Sequence, residues 1–319
     1  TLPGTAAIPA VHADRLRAAE ATGAQALETA RLGLTPSKLI TEKSVENALR
    51  VLLALGGSTN GILHLTAIAG RRGVKISLER LNELSDTTPV LINLKPTGIG
   101  YMEDFHSAGA MGALLRELQP LLHLDCPTVT GESLGERLSA APGYVDRRII
   151  RSRDDGFEDV GGLVALFGNL ALDGAILKRS AADPSLFEAT GRAVVFSSLE
   201  DLADRIDSDD LDVKPDDILV LQNAGPKSPS GMPEAGYIPI PKKLAQAGVK
   251  DMIRISDCRM SGTAFGTIVL HVTPEAAAAV AIGLVQNGDK IRLNISNQSL
   301  ALLVDDADLD RRRLPNPPQ

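Results

Sequence analysis

The sequence predicts an α/β protein of two domains, the first rich in helix and the second in short strands. Three observations carry that prediction. The chain has 319 residues, and domains of about 100–200 residues divide that length into two. Up to Leu118 the apolar residues recur mainly at helical spacing, as in Val45, Leu49, Leu52 and Leu53. Beyond Ala193 the texture changes to short apolar runs rich in Val and Ile, separated by turn residues.

Taken in order, Ala10–Leu32 is dense in Ala, Leu, Arg and Glu, all good helix formers. Thr35-Pro36 has the form of an N-cap with proline at the first helical position. The helix carrying Val45 to Leu53 stops at Gly56-Gly57, Ser58–Gly61 is expected as a turn, and Ile62–Ala69 begins another helix. Pro89–Leu94 is a continuous apolar run of the kind that forms a buried strand. Lys95–Gly98 leaves it as a loop, and Ala108–Leu118 is helical again. Leu122–Asp173 has no clean period, and the domain boundary is placed there, near residue 160. The strands expected after it are Ala193–Ser197, Ile218–Gln222, Met252–Ile255, Thr267–Val272, Lys290–Ile295 and Leu300–Val304. One helix begins at Ser198, with Asp201 three residues on as a capping-box variant, and another begins at Pro274. So many short strands with few helices point to a barrel-like or sandwich-like second domain.

Aromatic residues make up only 3% of the chain and Trp is absent, so the core is built from Ala, Val, Leu and Ile. The net charge of −7 argues against nucleic-acid binding and against an anionic membrane surface. It is compatible with a small anionic substrate held by a local cation or a metal. The two cysteines, Cys126 and Cys258, are far apart, which speaks for a reducing, cytoplasmic compartment rather than a disulfide framework. No apolar run reaches the ~18 residues of a membrane span. The start at Thr1, without Met and inside what looks like running structure, is expected of a fragment or a processed product.

Four segments have the makings of chemistry. Gly56–Gly61 is a tight interhelix turn or, at a helix N-terminus, an anion contact. Lys95–Gly98 with Tyr101–His106 lines a cleft after a strand or is an ordinary helix start with acids near its N-terminus. Asn223–Lys243 is too rich in Gly and Pro for regular structure, and Glu234 sits at its centre as a surface acid or a metal ligand that needs partners from elsewhere. Arg254–Thr267 carries Asp257, Arg259, Ser261, Gly262, Thr263 and Gly266 on a small-residue turn that lets a ligand approach closely. Ser261 is there a turn former or, with help, a base, since a hydroxyl is barely ionised at neutral pH. The five His have no zinc-motif spacing, and the acidic Asp204–Asp217 stretch is a solvated loop before it is a metal site.

At the last two segments the sequence resembles a known family. Gly231–Glu234 (GMPE), Ser256–Thr267 (SDCRMSGTAFGT) and His271–Ala276 (HVTPEA) resemble the dihydroxy-acid dehydratase / phosphogluconate dehydratase family. Leu55–Leu65 (LGGSTNGILHL), Met102–Gly109 (MEDFHSAG), Pro3–Ala10 and Gly288–Ile295 fit the same pattern in the same order. Pro239–Leu244 and the form around Ser261 look most like the sugar-acid branch, which acts on pentonates such as arabinonate and xylonate.

The resemblance implies a three-layer α/β part, incomplete here and with its connector spanning residues 1–160, then a β-barrel-like swivelling domain over 161–319. It implies a hydro-lyase that removes water from a 2,3-dihydroxy sugar acid to give a 2-keto-3-deoxy acid, working as a homo-oligomer with a [2Fe–2S] cluster and Mg²⁺. It makes Glu234 a magnesium ligand, Ser261 the base that takes the C2 proton, and Thr263 a substrate contact. The family's cluster cysteines and other magnesium ligands would lie upstream of Thr1, and neither Cys126 nor Cys258 occupies a cluster position, so the chain alone is expected to be inactive. Ala277–Ile282 stands where a Gly-Gly-Pro turn is expected. Two other readings stay open: a dihydroxy-acid dehydratase of branched-chain amino-acid biosynthesis, and a non-catalytic remnant or binding module of the same fold.

Overall fold

Helices, three of them started by a side-chain cap from Thr41, Ser77 and Ser133, build the first part of the chain. A computed structural model describes residues 2–234, 238–261, 264–278 and 281–313. It divides into two compact units, one of Thr1–Gly57 and Gly61–Gly162, the other of Ser58–Asn60 and Leu163–Gln319.

The helices up to residue 162 are α1 (Asp14–Arg31), α2 (Pro36–Leu39), α3 (Glu42–Ala54), α4 (Thr59–Gly70), α5 (Leu78–Ser85), α6 (Met102–Ser107), α7 (Ala110–Glu117) and α8 (Leu134–Ala140). The Thr41 hydroxyl accepts the Ser44 N–H while the Ser44 hydroxyl accepts the Thr41 N–H, which fixes the start of α3. Val45, Leu49 and Leu53 then share its buried face. Ser133 and Glu136 cap α8 in the same reciprocal way. The expected turn Ser58–Gly61 is shorter than predicted, because α4 already begins at Thr59.

The run Pro89–Leu94 is buried but forms no regular strand. Val90 bridges Glu158, Ile92 bridges Ile150 and Leu94 bridges Gly100, each as an isolated pair. Its partner segment is broken by turns, so the apolar burial that makes it look like a strand is present without a continuous ladder. Leu91 and Ile92 pack with Phe105, Leu114, Leu118 and Ile150 in the core of this unit.

The second unit is a closed barrel. Its strands are β1 (Val164–Gly168), β2 (Ala171–Leu177), β3 (Glu188–Phe196), β4 (Ile218–Leu221), β5 (Arg254–Ser256), β6 (Ile268–Thr273), β7 (Lys290–Asn294) and β8 (Ser299–Leu302). Around the barrel they run β1-β2-β6-β5-β4-β3-β7-β8. β3–β4–β5–β6 are successively parallel, and β1 closes on β8. Closure leaves no free sheet edge.

Strand alternation sorts the side chains into two cores. Ile218 and Val220 of β4 join Val195, Ile255, Val269 and Ile291 in one cluster. Leu219 and Leu221 join Val194, Phe196, Ile268 and Leu270 in the other. Burial on both faces explains why these strands read as continuous apolar runs rather than as alternating ones. The helices here are α9 (Leu199–Arg205), α10 (Lys242–Gln246), α11 (Ala281–Leu284) and α12 (Asp306–Arg313). Ser198 caps α9 by accepting the Asp201 N–H, as its spacing suggests. The helix expected at Pro274 begins as a single 3-10 turn, Ala276–Ala278. Residues 279 and 280, within the Ala277–Ile282 stretch, lie outside the described residues. Among the described residues no helix is long and apolar enough to cross a membrane.

Candidate active site

Ser261 lies in the crossover from β5 to β6, and a buried ion pair holds that crossover. Arg254 donates to the Asp251 carboxylate at 2.6 Å, with the two side chains only 3% and 6% exposed. The same guanidinium donates to the carbonyls of Phe265 in the turn and Ile238 in the preceding loop, each at 3.1 Å. The other oxygen of Asp251 accepts the Thr267 N–H at 2.8 Å and its hydroxyl at 2.7 Å. Gly266 sits against this pair with φ +111°, and a Cβ there would collide with Arg254 Nη2 and Asp251 Oδ1. Only glycine meets both demands at that position.

Two further buried carboxylates tie the flanking loops. Asp257 accepts the Ala224 N–H at 3.0 Å and the Ala276 N–H at 2.9 Å. Burial pushes its carboxyl above the ordinary value, against the pull of those backbone donors. Glu275 accepts the Lys227 N–H at 2.6 Å. Asp257 thereby joins the start of the Glu234 loop to the turn after β6. Cys258 is fully buried, and loss of solvation pushes its thiol up to about 11. That makes it a small core residue and a poor thiolate. His271 occupies a bulge in β6 with φ +56°, where the register with β2 shifts. Burial, with the nearby Arg259 charge, pushes its imidazole down to about 4.

Glu234 is exposed at the head of its loop and bridges Arg259 in parallel. Met232, two residues earlier, has φ +55° and its carbonyl accepts Arg259 Nε at 3.2 Å. Asn60 Nδ2 donates to Glu234 Oε1 at 3.1 Å and to the Met260 carbonyl at 3.0 Å. One amide therefore links the Glu234 carboxylate to the residue beside Ser261. Asn60 Oδ1 is buried and has no partner among the described residues. Among its described residues the loop is irregular up to Pro241, and its last two residues, Lys242 and Lys243, open α10.

A second side chain reaches the Ser261 turn. Lys178 follows β2 directly, and Ser58, Thr59, Lys178 and Ser261 are the polar lining of one small cavity of about 20 Å³. Burial alone pulls the Lys178 amine down to about 8. Neither Asn60 nor Lys178 stands out by spacing. In the sequence Asn60 is visible only within a Gly-rich turn, and Lys178 only as a lysine after an unrecognised strand.

The other sequence candidates have structural duties. Thr263 lies outside the described residues. Gly57 and Gly61 pack closely on Leu52, which is the tight interhelix turn. Asp104 accepts the Tyr101 N–H at 2.7 Å and Lys95 reaches the Tyr101 hydroxyl at 2.8 Å, an acid-capped helix start. In the acidic stretch, Asp212 and Asp217 both pair with Arg192. His12, Asp14 and His106 come together in the first unit, but Arg17 already occupies the Asp14 carboxylate. Cys126 is buried beside Asn47, and burial pushes its thiol up.

Comparison with known proteins follows the same two-part division. Residues 1–137 match the dihydroxy-acid/6-phosphogluconate dehydratase N-terminal model, and residues 148–318 match the C-terminal model. A 6-deoxy-6-sulfo-D-gluconate dehydratase of Pseudomonas putida is 45% identical over 322 residues, covering 100% of this chain and 55% of the relative. An L-arabonate dehydratase of Azospirillum brasilense is 46% identical over 314 residues, covering 98% of this chain and 54% of the relative. A dihydroxy-acid dehydratase of Caldicellulosiruptor saccharolyticus is 41% identical over 314 residues, covering 98% and 56%. The chain thus spans about half the length of the curated relatives it matches. With matches on both sides of its domain division, the chain belongs to the dihydroxy-acid/6-phosphogluconate dehydratase family.

Proposed function

We propose that this chain supplies the proton acceptor and one metal ligand of a hydro-lyase that converts a 2,3-dihydroxy sugar acid into a 2-keto-3-deoxy acid. The observation that carries it is the link through Asn60, which joins the Glu234 carboxylate to the backbone beside Ser261. The 45–46% identity to dehydratases named for sulfogluconate and arabonate supports the sugar-acid branch.

The residues present fit Mg²⁺ in part and the iron–sulfur cluster not at all. Glu234 offers an exposed carboxylate whose one side-chain partner among the described residues is an amide, and Asn60 Oδ1 adds an unpartnered hard oxygen beside it. Hard oxygens are what Mg²⁺ takes, often with only one or two carboxylates. When bound, Mg²⁺ would hold the substrate carboxylate and C2 oxygen and make the C2–H more acidic. Cys126 and Cys258 fall in different units, and both are buried thiols raised above their ordinary value. No [2Fe–2S] ligand set forms from them.

In this reading Ser261 Oγ, as its alkoxide, takes the C2 proton. The hydroxyl so formed returns a proton to the departing C3 hydroxyl, which leaves as water. The enol that remains tautomerises to the keto acid, and atoms and charge balance. Arg254, Asp251 and Gly266 keep the Ser261 turn in place, and Asp257 ties it to the Glu234 loop. A homo-oligomeric, cytoplasmic enzyme belongs to the same proposal.

The test is turnover by the protein expressed from its complete gene and loaded with cluster and Mg²⁺. L-Arabinonate or 6-deoxy-6-sulfo-D-gluconate is expected to yield its 2-keto-3-deoxy acid, read by carbonyl trapping. Preference for 2,3-dihydroxyisovalerate would move the assignment to the branched-chain dehydratases, as the 41% identical relatives would favour. No turnover of any of the three would overturn it.

A further inference from the structure

A serine that acts as a base has to become an alkoxide, and something must stabilise that charge. Among the described residues the cavity at Ser261 has one ionisable side chain in its lining, Lys178. The barrel places it there. Leu177 pairs with Val269, so the next position runs alongside Ile268, the first residue of β6 and the end of the Ser261 turn. The segment after Lys178 is then tied to that turn: the Gly266 N–H donates to the Ala181 carbonyl at 2.9 Å, and the Asp183 N–H to the Thr267 hydroxyl at 3.1 Å.

Lys178 is half-buried, and among the described residues its amine has no hydrogen bond and no carboxylate partner. This contrasts with Arg192, Arg254 and Arg312, whose guanidinium groups all have acids beside them. A partly buried cation without a counter-charge is costly. It is accounted for if an anion forms beside it in the working state. The cavity of about 20 Å³ admits one water and no sugar acid. Within that cavity the anion beside the amine is the Ser261 alkoxide.

We propose that Lys178 is a positioning residue for Ser261, its ammonium stabilising the Ser261 alkoxide directly or through one water. Lys178 neither gains nor loses a proton in this role. Burial draws its amine down to about 8, which still leaves it mainly charged at neutral pH. The proposal rests on the reading of Ser261 as proton acceptor.

The experiment is a double-mutant cycle on the cluster- and Mg²⁺-loaded protein with L-arabinonate. Lys178→Met is expected to lower kcat by about 100-fold, in the range of a lost acid–base contribution, with KM and melting temperature little changed. Lys178→Arg, which keeps the charge, is expected to restore most of kcat. In a Ser261→Ala background Lys178→Met should cost nothing further, since two residues acting as a unit are not additive. Should Lys178→Met fail to fold, Lys178→Gln is read in the same way. Wild-type kcat in Lys178→Met, or losses that simply add in the double variant, would overturn the role of Lys178 while leaving Ser261 intact. Wild-type activity in Ser261→Ala would instead overturn the base assignment and this proposal with it.

Discussion

Ser261→Ala is expected to lower kcat on L-arabinonate by about 10²–10⁴-fold, the usual weight of a positioned acid or base. In the proposed role the Ser261 alkoxide accepts the C2 proton, and Ala leaves nothing at that point of the turn to replace it. Binding should survive, because in this account the carboxylate and C2 oxygen of the substrate are held through the Glu234 side. KM is therefore expected to stay within about threefold, the pattern of an interaction made only in the transition state. The turn itself should persist, since Arg254, Asp251 and Gly266 hold it without the Ser261 side chain. Steady-state kinetics, with Mg²⁺ and cluster content matched to wild type, checks this. A raised KM with unchanged kcat would make Ser261 a binding residue.

Arg254→Met has the largest expected effect on stability. It removes the partner of a carboxylate that is 6% exposed, and breaking a buried pair from one side costs about 3–5 kcal/mol. It also frees the carbonyls of Ile238 and Phe265, one at the far end of the Glu234 loop and one in the Ser261 turn. Urea unfolding of the barrel should show a lower midpoint. The double variant Arg254→Met/Asp251→Asn should recover part of the loss, because its carboxamide no longer leaves an unpaired charge. A loss below about 1 kcal/mol in Arg254→Met would place the pair in the class of surface ion pairs.

Most of the barrel is legible in the sequence, and the exceptions are physical. β4, β5, β6 and the second half of β3 stand out as apolar runs because both their faces are buried, whereas β7 and β8 show through alternate buried residues. β1 and β2 do not, since Gly168, Leu172-Asp173 and Gly174 interrupt them and Leu172 is exposed. Pro89–Leu94 has the burial of a strand without a partner able to extend a ladder. α5 and α8 escape the reading although Ser77 and the Ser133–Glu136 box mark their starts. Composition and spacing bring Glu234 and Ser261 forward, and the family resemblance gives them roles. Neither can reveal Asn60, 174 residues from the carboxylate it touches, nor Lys178, which only the pairing of β2 with β6 brings to the Ser261 turn. Such partners are set by tertiary packing and leave no local signature.

The central claim is that the Glu234 loop and the Ser261 turn meet one substrate. It is tested most directly by a crystal structure of the protein loaded with cluster and Mg²⁺, with L-arabinonate bound to a Ser261→Ala variant that cannot turn it over. The account predicts the substituted side chain facing C2, leaving room for a hydroxyl about 3–3.5 Å from that carbon, and a Glu234 oxygen about 2.0–2.1 Å from Mg²⁺. A sugar acid bound with C2 turned away from the substituted position, or Mg²⁺ held without Glu234, would contradict it.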